Sequence, residues 1–472
     1  MGGMWPGRRM HGLVREINRS AQTAGLEETV HTLNAAKPRL FDILHGSLRN
    51  TVAAKALTLK LLNLCLARHH FLARDAALLS LPFGLVVDTS NACNLACPGC
   101  VHSARAKKLK LFDWEPGLIA EKCFTAFLRR YGASAIHATL CNYGEPLVNP
   151  ETPKYIRASK RYLLHTTIST NMTVPRFDAS AYVESGLDYM IVSIDGATQP
   201  VYERFRRKGD LGQAFENIGK LIAARERLGR RTPILAWRFL AFEHNVHEIP
   251  AAMEKARELG IDQFRADPAW TIDWDDPVIR PAPIRPIRVN FRPQLTDSLA
   301  GNWNPFPHEL EEDSIEQDYG RTWSAEAESD RAPSSGPASS RPTSSGESCE
   351  WLYKSITMDA GARILPCCCA PTSRKDLHFA TFDSANPAGS FNDDSFNSEK
   401  HRMARKFFAD PARYRAQREE GGIYAGRIDA NPYCSRCEWD KSGDPNPEHL
   451  HLYLRAAAAD LFPDRTLALL AW

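Results

Sequence analysis

The residues with the most chemistry in this chain are Cys93, Cys97 and Cys100, in Cys93-Asn94-Leu95-Ala96-Cys97-Pro98-Gly99-Cys100. They follow Phe83-Gly84-Leu85-Val86-Val87, a short β-branched run bounded by Pro82 and Asp88. That pattern is the pattern of a buried strand. A loop leaving a strand end can wrap its side chains around one metal centre. Thiolate is the natural ligand of iron–sulfur clusters and of zinc. A closed zinc site or a fully ligated cluster takes four protein ligands, and this loop offers three sulfurs. The missing fourth leaves one metal position open, where chemistry takes place.

Three more polar stretches fall at expected strand ends. Gly144, Glu145 and Pro146 put a lone carboxylate in a turn, where it suits an ammonium group. Ser169 and Asn171 follow the next strand, and Ser193 and Asp195 the one after. Hydroxyls, an amide and a carboxylate side by side suit a ribose diol, which needs several donors and acceptors. Arg204 or Arg206 suits a carboxylate, met bidentately; the alternative for either is a solvated helix face. Cys65, Cys123 and Cys141 read as small buried core residues.

A second thiol set lies far downstream. Cys349 precedes Ser355-Ile356-Thr357-Met358 and Ile364-Leu365, two apolar runs either side of Asp359-Ala360-Gly361, which read as a hairpin. The hairpin brings Cys349 towards Cys367, Cys368 and Cys369, and Cys434 and Cys437 add a Cys-x2-Cys pair. Two separated thiol pairs make a four-thiolate site, suited to zinc or to iron–sulfur.

These residues must be held by a repeating frame. Strands are expected at 84–88, 135–140, 165–169, 189–194, 234–242 and 263–266. Helices are expected at 115–131, 151–162, 178–186, 211–228 and 248–259. Strands alternating with crossover helices imply a parallel sheet curled into a partial (β/α)6 TIM-like barrel, an α/β fold. Active residues of such barrels sit at the C-terminal strand ends, where these motifs fall. Four regions follow: an N-terminal helical segment at 1–81, the barrel at 82–290, a Pro/Ser-rich disordered insertion at 291–347, and a small cysteine-rich α+β domain at 348–472.

The chain has 472 residues, 59 basic and 56 acidic, for a net charge of +3. Such a balance gives no argument for nucleic acid or a membrane surface. No apolar run is long enough for a membrane span, and the start lacks the apolar stretch of an export signal. Twelve cysteines in that setting point to reduced thiols and metal sites in the cytoplasm.

The spacing Cys-x3-Cys-x2-Cys after a first barrel strand resembles that of the radical S-adenosylmethionine (SAM) enzymes. The resemblance implies a [4Fe-4S] cluster on Cys93, Cys97 and Cys100, with SAM chelated at the open iron. It implies that Gly144, Glu145 and Pro146 read the SAM amino group, that Ser169, Asn171, Ser193 and Asp195 line its ribose and carboxylate, and that Arg206 meets the carboxylate. Asn245 is then a candidate adenine contact. Gly99 departs from the family, which often has an aromatic residue there. The downstream half, including the segment from Phe391 to Arg402, resembles the SPASM or twitch extension of the same enzymes. It implies one auxiliary [4Fe-4S] cluster on Cys349, Cys367, Cys434 and Cys437. The activity implied is reductive cleavage of SAM to a 5′-deoxyadenosyl radical that takes hydrogen from a peptide, sugar or small metabolite, with oxidation, epimerisation or cross-linking as the outcome. An electron donor such as flavodoxin or ferredoxin is implied as partner. The alternative is a non-catalytic iron–sulfur or zinc protein, or an electron carrier.

Overall fold

The computed structural model describes residues 60, 63–64, 66–67, 70–71, 73–108, 116–269, 279–292, 349, 351–368, 378–385 and 395–409. Cys65, Cys369, Cys434, Cys437 and nearly all of the 291–347 insertion lie outside the described residues, as does most of the expected segment at 1–81.

The strands in chain order are β1 (Gly84–Val87), β2 (His137–Thr139), β3 (His165–Thr170), β4 (Tyr189–Ser193), β5 (Ile234–Ala241), β6 (Gln263–Pro268), β7 (Ile287–Asn290), β8 (Ser355–Met358), β9 (Arg363–Leu365) and β10 (Ala380–Thr381). The helices are α1 (Ala104–Lys108), α2 (Glu121–Tyr131), α3 (Thr152–Lys160), α4 (Ala179–Glu184), α5 (Gln199–Phe205), α6 (Leu211–Arg227), α7 (Ile249–Leu259), α8 (Trp351–Lys354) and α9 (Glu399–Ala409). One sheet carries all ten strands in the order β10-β9-β8-β1-β2-β3-β4-β5-β6-β7. From β8 to β6 all neighbours are parallel; β7, β9 and β10 are antiparallel additions at the two ends. The sheet is open, so the fold is a partial barrel.

All six expected strands and all five expected helices are present, displaced at their ends by a few residues. Local chemistry sets the helix starts and stops. Asp178 accepts from Ala181 N at 3.0 Å ahead of α4, and Asp210 accepts from Gln213 N at 3.0 Å ahead of α6. Gly260 ends α7 at φ +80°, the left-handed conformation a glycine adopts without a Cβ clash.

The hairpin β8–β9 lies in the expected 348–472 region, yet it joins the barrel's sheet. β8 pairs along its length with β1, from Gly84↔Ser355 to Val87↔Met358. The cause is that β1 is buried throughout, so an open edge there would bury unpaired backbone groups. Gly84 permits the approach: a Cβ at that position would lie 2.6 Å from both His137 and Ser355 side chains.

Side chains alternate between the two faces of each strand. Leu85, Val87, Ala138, Ile168, Met190, Val192, Leu235, Trp237, Phe239, Phe264 and Ala266 face the helices and form the main apolar core. The intervening positions, among them Thr139, Ser169, Ser193, Arg238, Arg265 and Asp267, therefore face the barrel interior, which is polar. Among the described residues no helix is long and apolar enough to cross a membrane.

Candidate functional site

Loops at the C-terminal strand ends build the site. Cys97-Pro98-Gly99-Cys100 is a tight turn, closed by Cys100 N donating to Cys97 O at 3.1 Å, with Gly99 at φ +74°. Proline second and glycine at positive φ third are what a type II turn requires. The glycine that stands where the radical SAM family often has an aromatic residue is thus demanded by backbone geometry. Leu95 N donates to Cys93 Sγ at 3.4 Å, and Ala96 N ties the loop to Arg207 O at 3.1 Å.

Cys97 is buried, and Cys93 and Cys100 are half-buried. They pack with Leu95, Phe205, Leu240, Phe242 and Ile279 into a small apolar cluster. The Phe205 and Phe242 ring centroids lie 4.3 Å apart. Burial pushes the Cys97 thiol up to about 12, and burial followed by the nearby Glu145 charge pushes Cys93 higher still. Bare thiols there stay protonated; a metal reverses this, because a coordinating thiol is deprotonated outright. Among the described residues no three His, Cys, Asp or Glu side chains converge on a point as a single metal ion needs. A cubane binds its three cysteines through three different irons and asks for no such convergence. Three soft sulfurs on one loop, in an apolar wall, fit a cluster with one iron lacking a protein ligand.

Glu145 is buried and its carboxylate accepts from Thr170 Oγ1 at 2.6 Å, Asn171 N at 2.8 Å and Leu147 N at 3.0 Å. Burial raises its pKa against those hydrogen bonds. Pro146 opens a short 3-10 turn, Pro146–Val148, that Glu145 caps. Gly144 passes so close to the first loop that a Cβ would sit 1.6 Å from Ser90 O. Asp88 holds this turn from beneath: its carboxylate accepts from the backbone N–H groups of Asn142, Tyr143 and Gly144 at 2.6, 3.0 and 3.3 Å. Asn171 in turn donates its side-chain amide to Asn94 Oδ1 at 3.0 Å and lies 3.9 Å from Cys93 Sγ. Glu145 and Asn171 therefore stand beside the cysteine loop.

Ser169 Oγ and Ser193 Oγ are 3.1 Å apart across β3 and β4. Asp195 is fully buried; it accepts from Arg206 Nε at 2.5 Å and from Leu240 N at 2.6 Å. Burial pulls Arg206 down, but Asp195 and Cys97 outweigh it and hold its guanidinium above the ordinary arginine range. Of the two expected arginines, Arg206 is at the site; Arg204 is exposed on α5. The expectation for Asn245 is corrected. Its amide is wholly buried and donates to Asp195 O and Leu240 O at 3.0 Å each, while it accepts from Phe242 N at 2.7 Å. It braces the loop after β5 and has nothing left for a nucleobase.

Cys349, Cys367 and Cys368 are half-buried and lie close in sequence to the β8–β9 hairpin. Cys123 and Cys141 are buried; Cys123 packs in the main core, and Ser169 N donates to Cys141 Sγ at 3.0 Å. Sequence reasoning missed the apolar wall around the cysteines, and it missed Arg238, Arg265, Asp267 and Arg288 inside the barrel. The signal was Arg238, a charge in the middle of the otherwise apolar strand Ile-Leu-Ala-Trp-Arg-Phe-Leu-Ala.

A GTP 3′,8-cyclase from Chlorobaculum tepidum is 27% identical over 186 residues, 37% of this chain and 52% of that protein. A probable GTP 3′,8-cyclase from Methanococcus maripaludis is 27% identical over 172 residues, 36% of this chain and 53% of that protein. The chain thus spans about half the length of these curated relatives. Streptococcus suis SuiB, in its crystal structure, is similar over 88% of this chain and 84% of its own, with 15% identity and a TM-score of 0.45. Residues 87–234, from the end of β1 to the start of β5, match the family model of the Radical SAM superfamily.

Proposed function

We propose that this chain is a radical SAM enzyme of the hydrogen-abstracting kind, holding its cluster on Cys93, Cys97 and Cys100. The observation that carries the reading is that these thiols, Glu145, Asn171, Ser169, Ser193 and the Asp195–Arg206 pair all lie at neighbouring C-terminal strand ends. When bound, the cluster and SAM supply methionine and a 5′-deoxyadenosyl radical, at the cost of one electron from an external donor such as flavodoxin or ferredoxin. The chain's own residues position and protect. Leu95, Phe205, Leu240, Phe242 and Ile279 keep water from the cysteines. Asn171 fixes the cysteine loop through Asn94, and Glu145 fixes Asn171. Gly144, Glu145 and Pro146 face the SAM amino group, and Ser169, Asn171 and Ser193 face its ribose and carboxylate. Asp195 acts by aiming Arg206.

An auxiliary [4Fe-4S] cluster on Cys349, Cys367, Cys434 and Cys437 belongs to the same reading, as does net oxidation of the substrate. The relatives named GTP 3′,8-cyclase make GTP the first substrate to assay. The test is aerobic against anaerobic isolation followed by metal analysis. Brown protein with iron and sulfide supports the reading; colourless protein with zinc overturns it in favour of a zinc module.

A further inference from the structure

The cysteine loop runs straight into a basic surface that the SAM site does not use. Between Asp88 and Asp113 the chain carries no acidic residue, and every arginine and lysine there comes after Cys100. Arg105, Lys107 and Lys108 stand on α1, the first helix after that cysteine, and all three are exposed. Arg105 and Lys108, three positions apart, share one helix face. Among the described residues none of the three pairs with a carboxylate.

Hydrogen bonds fix this surface to the cysteine loop. Val101, His102, Ser103 and Ala106 are buried and anchor the segment from one side. Ser103 N donates to Cys100 O at 2.9 Å, and Lys107 N donates to Ser103 O at 3.2 Å. Ala106 N donates to Ser103 Oγ at 3.0 Å. His102 Nε2 lies 3.0 Å from Tyr143 O, on the turn that carries Glu145. At about 1.5 Å per helical residue, Lys108 stands only about 8 Å beyond Ser103. Three cations without a carboxylate are therefore held close to a cluster ligand.

Resting on the reading that Cys93, Cys97 and Cys100 hold a redox cluster, we propose that Arg105, Lys107 and Lys108 form the docking surface for an acidic one-electron carrier protein. That reading needs an electron from outside the chain, and electron transfer falls off steeply with distance. A carrier must therefore settle beside the cysteine loop, and α1 is exposed surface directly beyond Cys100. Exposed cations of one sign speed the approach of an acidic partner by roughly 10- to 1,000-fold, an effect that salt screens. In the transfer the carrier is oxidised by one electron and the cluster is reduced by one, and no proton or group moves. Basic residues at the end of α1 also complement its dipole, which is worth up to about 1 kcal/mol and acts within the last turn. That role involves no partner and leaves carrier binding unmoved.

The test is calorimetric titration of the full-length anaerobic protein with flavodoxin and ferredoxin, both acidic, and with basic cytochrome c as control. Wild type is expected to bind at least one acidic carrier and not cytochrome c, with affinity that falls as salt is raised. The double variant Arg105→Glu, Lys108→Glu is expected to bind that carrier at least about tenfold more weakly. Its 5′-deoxyadenosine formation driven by the reduced carrier is expected to fall, while formation driven by dithionite, which needs no docking, stays at the wild-type level. Lys107→Gln, run in parallel and expected to weaken binding in the same direction, keeps the test decidable should the double variant not fold. Wild type that binds neither acidic carrier, variants that bind as wild type does, or variants that lose dithionite-driven cleavage as well overturn the proposal. Wild type that prefers single-stranded DNA to both carriers overturns it in favour of a nucleic-acid face. Dithionite-driven cleavage without carrier binding sinks only this inference, and carrier binding without any cleavage sinks only the function proposed above.

Discussion

Arg206 reaches back 2.5 Å to the buried carboxylate of Asp195, and its charge acts on the Cys97 thiol against the effect of burial, so one guanidinium links the strand end after β4 to the cysteine loop. Asp195 has no exposed surface, and only 14% of the Arg206 side chain is exposed. Removing one member of a buried pair leaves a charge uncompensated. Arg206→Gln is expected to cost about 3–5 kcal/mol in urea unfolding and to lower bound iron. Unchanged stability would show that the pair is incidental.

Gly144 is the point where the turn after β2 meets the first loop. A Cβ there would lie 1.6 Å from Ser90 O, a backbone atom that cannot step aside. Gly144→Ala is expected to destabilise the chain by about 3 kcal/mol, the upper end for overpacking, and to reduce iron content. A variant with wild-type thermal midpoint and iron content contradicts the described packing.

The Glu145 carboxylate satisfies three donors from two loops. Glu145→Gln keeps the shape but removes the charge and turns an acceptor into a donor. About 1–3 kcal/mol of stability is expected to be lost. Separately, a SAM-binding titration is expected to show weakened affinity; equal affinity would remove Glu145 from the SAM site.

Acid is expected to weaken this fold through two groups away from the cluster. Burial pulls His165 down to about 4, so between its unfolded value of about 6.5 and that point the unfolded chain holds more protons. Burial is the largest single effect and opposes, but Lys160 at 2.8 Å, His165 and the Thr166 N–H together outweigh it and hold Asp188 below the usual carboxylate range. Its contribution is present above the unfolded value and is lost as pH falls through the folded one. Stability therefore falls from pH 6.5 downwards, and His165→Gln and Asp188→Asn should each flatten part of that slope in denaturant titrations. A slope unaltered in both variants contradicts this assignment.

Much of the barrel was legible because each strand is a short apolar run followed by an amphipathic helix, a periodicity that depends on near neighbours only. β8 was read as a strand, but its partner β1 lies some 270 positions earlier, and no local pattern announces such a pairing. Helices α1 and α5 were missed because both are short, and Pro200 at the start of α5 reads equally as a turn. Cys93, Cys97, Cys100, Glu145 and Asn171 could be placed from the sequence because each stands in the loop that follows a strand. The partner of each could not: Asp195 was read as facing a ligand and is spent on Arg206, and Asn245 is spent on backbone groups of its own loop. Hydrogen-bond donors and acceptors look alike in sequence whether they serve a ligand or the fold. Arg238 shows in the sequence as a lone charge in an apolar strand, but which side of the strand is inside is decided only by the barrel's curvature.

The central claim is that three sulfurs on the loop after β1 hold a cluster whose remaining iron would chelate SAM. Its most direct test is anaerobic incubation of the protein with SAM and dithionite, reading 5′-deoxyadenosine by chromatography. Wild type is expected to form it, and Cys97→Ala to form none while keeping its far-ultraviolet circular dichroism. Wild type that carries iron and sulfide but yields no 5′-deoxyadenosine, or a Cys97→Ala protein that yields as much as wild type, would contradict the account.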